Sequence, residues 1–440
     1  MRWRDGLLFL LGLSLGLSAM PRTASAAPPD LFGFGSRTRA LGMTGGSYAT
    51  GWEAVYVNPA GLGATRLRNL TFGFSGGGYQ LTIDGEHDPL TPPRGMTIGF
   101  ALPLPFGDVL EDRIVFGGGF YTPSEVLLRG NIRFPQSIQW SVLDRAQVVA
   151  VVIGLGVDLH GLVDGLQLGL SINALANVFG DLTVRLDETN SFSSVVETQL
   201  VSSFAPIVGA RYEHPNESGG PSEWGLGLSY RHENVSRFEL NIVTMDLPID
   251  LPVLTVGGVV QYDPPAVVAE GFWRPIPELM LVLNLTTRIW SAYPGVLIPT
   301  TRAGLNAPAP EFSVVPSPRA AIEYELRDDN FQLALRAGYA FEPTPAPAAR
   351  IAPRRTASGE PVPGEMVPLR MIDNHRHVIS AGIGWRIMLG ERGESINIEV
   401  DGQLHLLMDR EHEIGRTDGD PPMTTGGWLG QAGWSIGASF

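Results

Sequence analysis

From Asn69 to the last residue the sequence changes character at every second position, and this beat limits the possible folds more than any other feature. Between Gln332 and Phe341 the positions Leu333, Leu335, Ala337, Tyr339 and Phe341 are apolar, while Gln332, Arg336 and Gly338 are small or polar. Ile379, Ala381, Ile383, Trp385 and Ile387 alternate in the same way with Ser380, Gly382, Gly384 and Arg386. So do Ile396, Ile398, Val400, Leu404 and Leu406 with Asn397, Glu399, Asp401, Gln403 and His405. A period of two belongs to a strand with one face in an apolar phase. It fits a soluble sandwich, apolar inside, as well as a membrane barrel, apolar outside.

Composition narrows the choice. The 54 Gly and 35 Pro leave little room for long amphipathic helices. The charged fraction of 17% lies below the roughly 25% of soluble domains, as expected if much of the outer surface does not face water. With 45 acidic against 31 basic residues the formal charge is −14, and an acidic chain without a basic cluster is a poor nucleic-acid binder. The absence of cysteine excludes disulfides, thiolate metal sites and a lipid-attachment cysteine. No metal site or cofactor is expected. The chain starts with Arg2 and Arg4, an apolar run from Leu7 to Leu17, and Ala24-Ser25-Ala26. This reads as a secretory signal peptide over residues 1–26; the apolar run is too short for a membrane-spanning helix, and Pro21 follows it.

Three features favour the barrel. The chain ends Trp434-Ser435-Ile436-Gly437-Ala438-Ser439-Phe440, an alternating strand with a terminal aromatic that resembles the signal read by the outer-membrane insertion machinery. Trp140, Trp224, Tyr262, Trp290, Phe341 and Trp428 fall near strand ends, where an interfacial girdle would need them. Connections alternate short with long, as periplasmic turns alternate with external loops. Candidate strands are 69–81, 95–103, 113–122, 145–159, 166–186, 198–213, 223–243, 252–262, 279–291, 317–326, 329–342, 377–389, 394–408 and 427–440. They predict an all-β, antiparallel transmembrane barrel of about 14 strands. Residues 223–243 first read as two strands, but the parity of the long loops asks for one, and 263–278 becomes a long turn on the N-terminal side.

Before the first strand comes Phe32 to Leu62, with seven glycines among small residues, too weakly apolar to build its own core. It ends in Ala54-Val55-Tyr56-Val57-Asn58-Pro59-Ala60-Gly61-Leu62. Asn-Pro reads as a turn: Pro59 fixes φ, and the Asn58 amide is expected to bond neighbouring hatch or wall backbone. The stretch resembles the N-terminal hatch of the FadL family of outer-membrane fatty-acid and aromatic-hydrocarbon transporters. Leu279–Tyr293 is similar to that family's strand ending in Trp-Ser, Ala334–Ala346 to its Gly-Tyr strand running into a Pro-rich loop, and Ile372–His377 to the loop leading into its next strand. Trp52-Glu53 departs from the small and polar residues the pattern leads one to expect. The resemblance implies a hatch over 27–68 plugging the lumen of a barrel over 69–440, in the outer membrane of a Gram-negative bacterium. It also implies passive uptake of long-chain fatty acids or aromatic hydrocarbons, with outer-membrane lipids and lipopolysaccharide as surroundings.

The residues leave the inner face open to two readings. Ala146–Val157 is apolar on both faces, and Met280 and Val282 interrupt a polar face, so an apolar ligand pocket and packing against the hatch explain them equally. Arg288, Glu323, Glu325, Arg336, Arg386, Glu399 and Asp401 read as a compensating charge network, in which Arg288 or Arg336 is free in principle to meet a carboxylate headgroup. His375, His377, His405, Asp409 and His412 lie near strand ends without the spacing of an acid/base set, and no enzyme is expected. The alternative function is docking: a FadL-like barrel serving as an assembly component of an envelope or secretion system without transport.

Overall fold

The computed structural model describes residues 29–90, 93–106, 113–124, 128–129, 138–143, 147–160, 162–186, 192–216, 220–245, 254–295, 309–328, 330–356, 360–369, 371–389, 393–412 and 422–440. The first residues of the chain, including the expected signal peptide, lie outside them. Fourteen strands close a barrel. In chain order they are β1 Asn69–Ile83, β2 Arg94–Pro103, β3 Ile114–Pro123, β4 Ala150–Asp158, β5 Leu166–Leu186, β6 Phe192–Glu213 and β7 Trp224–Arg231. Then come β8 Ala266–Ile276, β9 Leu279–Ile289, β10 Val314–Asp328, β11 Phe331–Glu342, β12 Arg376–Met388, β13 Ser395–His412 and β14 Met423–Ser439. Each strand pairs antiparallel with the next, and β14 returns to β1 in a ladder running from Asn69 opposite Ser439 to Ile83 opposite Thr425. Closure leaves the membrane wall without an unpaired edge, the condition for strands to cross hydrocarbon.

The period-two pattern is resolved by which face is wet. Leu283 (72% exposed), Leu226, Leu228, Leu170, Ile98, Ile322, Leu335, Ile379 and Ile436 stand outside, while Ser171, Asn173, Glu270, Asn284, Thr286, Arg319, Glu323, Ser380, Asp401, Gln403 and Gln431 are buried inside. A sandwich would invert this arrangement. Apolar side chains outside and polar ones inside are the signature of a lipid-facing barrel.

The strand count was reached through two compensating errors. Residues 223–243 are not one strand: β7 ends at Arg231, and Asn234–Met245 pairs with Leu254–Asp263 in an external hairpin, whose first strand adds in parallel to β5 between Val178 and Arg185. The segment 252–262 therefore lies in that hairpin, and the missing barrel strand is β8, within residues read as a turn. β8 carries the apolar Ala266, Val268 and Phe272 on its inner side as well as apolar residues outside, and Pro275 near its end, which masks the alternation. The girdle also needs correction. Trp224 and Trp428 are exposed, whereas Trp140, Tyr262 and Trp290 are buried in the external loops. Tyr262, Trp290, Tyr293 and Phe312 pack against one another there, because the long loops fold over the mouth instead of standing in solvent.

Candidate functional site

Residues 29–64 lie inside the barrel. Three single-turn helices, α1 Pro29–Phe32, α2 Ser36–Ala40 and α3 Ala54–Val57, alternate with 3-10 turns at Gly51–Glu53 and Pro59–Ala64. No helix here is long enough to be stable alone; the wall holds them. Phe32 reaches the external half, edge-on to His405 of β13 with ring centroids 5.1 Å apart, and Gln403 Nε2 donates to Phe32 O (3.0 Å) and Arg39 O (2.8 Å). Leu31 and Phe32 join an apolar cluster with Trp140, Leu143 and Ile372 of the external loops. From there the chain descends towards the periplasmic end, where Arg68 exchanges backbone hydrogen bonds with Phe440.

The arc β2–β6 is dry. Phe34, Trp52, Val55, Tyr56 and Leu62 pack against Ala101, Val115, Tyr121, Ala150, Val152, Leu175 and Ile207. Across the lumen, Leu41 and Tyr48 pack on Phe272, Met280, Val282 and Ala321. Of the two readings of the apolar inner residues, ligand pocket or packing, Ala150, Val152, Met280 and Val282 follow the second: the chain's own N-terminal segment covers them. Trp52 is part of the dry cluster, T-shaped on Phe34 at 5.2 Å, which accounts for its departure from a small residue.

Asn58 sits at the junction between segment and wall. It is fully buried with extended backbone (φ −160°, ψ 101°), as the following Pro59 requires. Its Nδ2 donates to Gly46 O (2.6 Å) within the segment and to Ala210 O (3.1 Å) on β6, and its Oδ1 accepts from Ala60 N (3.2 Å). The side chain therefore bonds the N-terminal segment and the wall at once. Gly209 leaves the required space, since a Cβ there would overlap the Asn58 carboxamide oxygen. Ala60, Gly61 and Leu62 are buried in the same turn.

Charge fixes the remaining arc. Glu270 of β8 accepts from Gly45 N, Ser47 N and Ser47 Oγ (each 2.8 Å) and from Asn284 Nδ2 (2.7 Å). Arg39 meets Asp401 of β13 through two bonds of 2.8 Å. Arg37 grips Glu323 of β10 with Nε (2.9 Å) and Nη2 (2.6 Å), and Arg336 of β11 bridges Glu323 (2.6 Å) to Glu399 (3.1 Å). Bidentate arginine–carboxylate pairs in a low-dielectric space are geometrically specific and costly to break singly. Glu53 accepts from Arg37 N (3.2 Å) and Thr38 N (3.3 Å) at the start of α2. Burial, reinforced by the nearby Glu399 charge, pushes the Glu53 carboxyl up to about 8.

The two arginines anticipated as headgroup contacts are placed differently. Arg336 is committed to Glu323 and Glu399. Arg288 pairs with Glu342 (2.8 Å) and lies 3.7 Å from Asp30, which also pairs with Arg231. Arg231, Arg288 and Arg319 border a cavity of about 60 Å³ with Asp30, Thr44 and Tyr56. A second cavity of about 310 Å³ opens at the periplasmic end between the segment (Arg37, Glu53, Arg66) and Asn69, Arg386, Asn397 and Glu399 of the wall. The histidines serve packing: His375 Nδ1 accepts from Thr344 N (3.1 Å) and His412 Nδ1 from Ala349 N (3.1 Å). Sequence reasoning missed Glu270, Arg319, Glu342 and the segment's own Asp30, Arg37 and Arg39, because no local pattern announces a partner hundreds of residues away.

No protein-family model matches the chain, and no curated protein matches it by sequence. Among solved structures, a Pseudomonas aeruginosa FadL homologue aligns over 92% of this chain and 96% of its own length, with a TM-score of 0.52 and 15% identity. The P. putida toluene transporter TodX aligns over 93% and 99%, with a TM-score of 0.52 and 13% identity. The Ralstonia pickettii toluene transporter TbuX covers the same shares, with a TM-score of 0.50 and 14% identity. With its apolar exterior and closed ladder, the chain is an outer-membrane β-barrel of the Gram-negative type that shares the fold of FadL and TodX.

Proposed function

We propose that this barrel passes hydrophobic small molecules, long-chain fatty acids or aromatic hydrocarbons, passively into the cell, with residues 27–68 as a hatch. The observation that supports this most is the state of the lumen. A barrel of this width would leak, and here it is filled by a segment held to one arc by hydrogen bonds and ion pairs. The inner cavity of about 60 Å³ is smaller than the roughly 150 Å³ that accommodates benzene, so cargo can pass only if the hatch shifts. Differential affinity of cargo for the shifted state would drive that step.

Within this reading Arg288, beside Arg231 and Arg319 on the inner cavity, remains the candidate for a carboxylate headgroup. Arg336 serves the hatch instead. Outer-membrane lipid and lipopolysaccharide surround the apolar wall, and Phe440, 57% exposed at the chain end, addresses the insertion machinery. The test is uptake of labelled oleate and toluene by cells that produce the protein and lack other channels for them. Uptake no faster than in cells producing an unrelated barrel would remove the proposal.

Docking without transport is favoured by one feature, the external hairpin Arg350–Arg355/Pro361–Leu369, which exposes Ile351 and Met366. Deleting it would abolish partner retention if docking is the role; loss of uptake with partner retention unchanged would exclude that role.

A further inference from the structure

At the external ends of β7, β8 and β9 the strand register sets two arginines on either side of a methyl group. Arg231 of β7 stands opposite Ala266, the first residue of β8, and Ala266 stands opposite Arg288 of β9. The two arginine backbones are therefore two strand spacings apart, about 10 Å. A third arginine, Arg319, comes from β10, four residues beyond Val315, which pairs with Arg288. All three arginines and Ala266 border the inner cavity of about 60 Å³, which has room for roughly four water-sized bodies at 10–15 Å³ each. Ala266 is fully buried, and the side chains of Arg288 and Arg319 are only 9% and 4% exposed.

The bonds these groups make leave donors over. Arg231 Nη2 donates to Asp30, Arg288 Nη1 to Glu342 (2.8 Å), and Arg319 to Met43 O through Nη1 (2.6 Å) and to Glu342 through Nη2 (2.7 Å). The Nε–H of each of the three arginines meets no acceptor among the described residues. Arg288 Nε lies 3.7 Å from Asp30 Oδ1, too far for a hydrogen bond. The neighbouring hydroxyls and amide are spent elsewhere: Ser229 Oγ donates to Val57 O (2.9 Å), Thr44 Oγ1 to Leu41 O (2.7 Å) and Asn284 Nδ2 to Glu270 (2.7 Å). Asp30 is the one carboxylate bordering the cavity among the described residues. Asp263 acts on Arg231 from a distance, and both its oxygens accept from Gln261 Nε2 at 3.1 Å. A guanidinium keeps its charge at every physiological pH, and a buried donor without a partner costs free energy. The space therefore favours an occupant that is negative and accepts from several directions.

We propose that this cavity is a binding site for one small monovalent anion of halide size, held over Ala266 by the Nε–H groups of Arg231, Arg288 and Arg319. A spherical ion accepts from donors on three strands at once, which a single planar group cannot do equally well. Asp30 and Glu342, bonded to these arginines, offset two of the three guanidinium charges, so one negative charge completes the set and a dianion oversupplies it. The alanine at 266 is part of the site, since a longer side chain there would take the ion's place. The site goes beyond the channel reading and does not depend on it. A carboxylate headgroup at Arg288 would compete for the same donors.

Bromide is the probe, because it binds where chloride does and scatters anomalously. The full barrel, purified in detergent with gluconate as the only other anion, is titrated calorimetrically with bromide at constant ionic strength, and its crystals are soaked in bromide. The expected result is saturable binding of one bromide per chain and an anomalous peak between Arg231, Arg288 and Arg319. Ala266→Leu fills the space while keeping every charge, and Arg319→Gln removes one donor. Each is expected to weaken bromide about tenfold or more, the worth of one hydrogen bond to a charged group, with heat-modifiable gel mobility verifying that the barrel has formed. Absence of saturable bromide binding would mean that water fills the cavity and would overturn the site. A peak in crystals without saturation in solution, binding at crystal concentration only, would overturn it too. Formate binding without bromide binding would assign the donors to a carboxylate headgroup instead, and undiminished bromide binding in both variants would place the ion elsewhere; either result overturns the proposal. No uptake is measured, so the channel reading and this site stand or fall separately.

Discussion

Removing the Asn58 side chain tests whether the hatch is keyed to the wall at one residue. In Asn58→Ala, Ala60 N loses its acceptor and the carbonyls of Gly46 and Ala210 lose a donor, all in a site closed to solvent. A buried polar group left unpaired costs about 1–3 kcal/mol. Carbonyls have a second lone pair and tolerate the loss better than an amide, so three such groups place the total near the lower part of the range, about 3 to 5 kcal/mol. The barrel ladder is untouched, so the cost falls on hatch docking and not on global unfolding. Native-state hydrogen exchange separates the two, since local opening and global unfolding have different free energies. Protection of amides in 54–64 is expected to fall by about two to three and a half orders of magnitude, at roughly 1.4 kcal/mol per tenfold, with strand amides unchanged. Asn58→Asp keeps the acceptor for Ala60 N and sets a charge against two carbonyls, and is expected to be at least as damaging. Gly209→Ala should reproduce the loss by pushing the carboxamide away. A change below about 1 kcal/mol in Asn58→Ala would refute the reasoning and reduce Asn-Pro to a chain terminator.

Three further outcomes are expected. Glu270→Gln turns an amide group towards donors that now meet a carboxylate at 2.7–2.8 Å; a loss of about 3 kcal/mol in hatch docking, read by exchange at Gly45–Ser47, is the predicted cost. For Glu53 the folded pKa is raised from 4.5 to about 8, so its contribution to docking is fully present below the unfolded value and lost as pH rises through about 8. Protection at α2 should therefore fall as pH rises from about 4.5 to about 8 in wild type, level off above that, and show a flatter profile in Glu53→Gln. Leu283→Arg, on the most exposed apolar position of β9, should lower barrel stability by about 2–4 kcal/mol if it lies near the bilayer midplane, measured by refolding into lipid vesicles; no effect would place that face in water.

Much of the wall was legible in the sequence. Alternation along β11, β12 and β13 gave the strands and the residues that share a face, because side chains on a pleated ladder must take turns between two phases. The turn at Asn58-Pro59 was readable for a local reason too, since proline restricts its own φ and the conformation of the residue before it. β8 was lost because its inner face carries the apolar Val268 and Phe272 and its end carries Pro275, and the compensating hairpin at 234–263 alternates like a barrel strand without being one. Alternation does not reveal whether a strand's neighbours close a ring.

The contacts of the N-terminal segment were not legible. Arg39 and Asp401 are 362 positions apart, and nothing near either residue specifies the other. The apolar positions at Met280, Val282 and Val152 were visible, yet whether a ligand or the chain itself covers them depends on where residues 31–62 run once the barrel has closed. The sequence determined period, strand length and turn chemistry, which act over a few residues of backbone. Only the tertiary structure decided which face meets lipid, what fills the lumen and which charges pair, because those follow from closing a ring around a segment that has no core of its own.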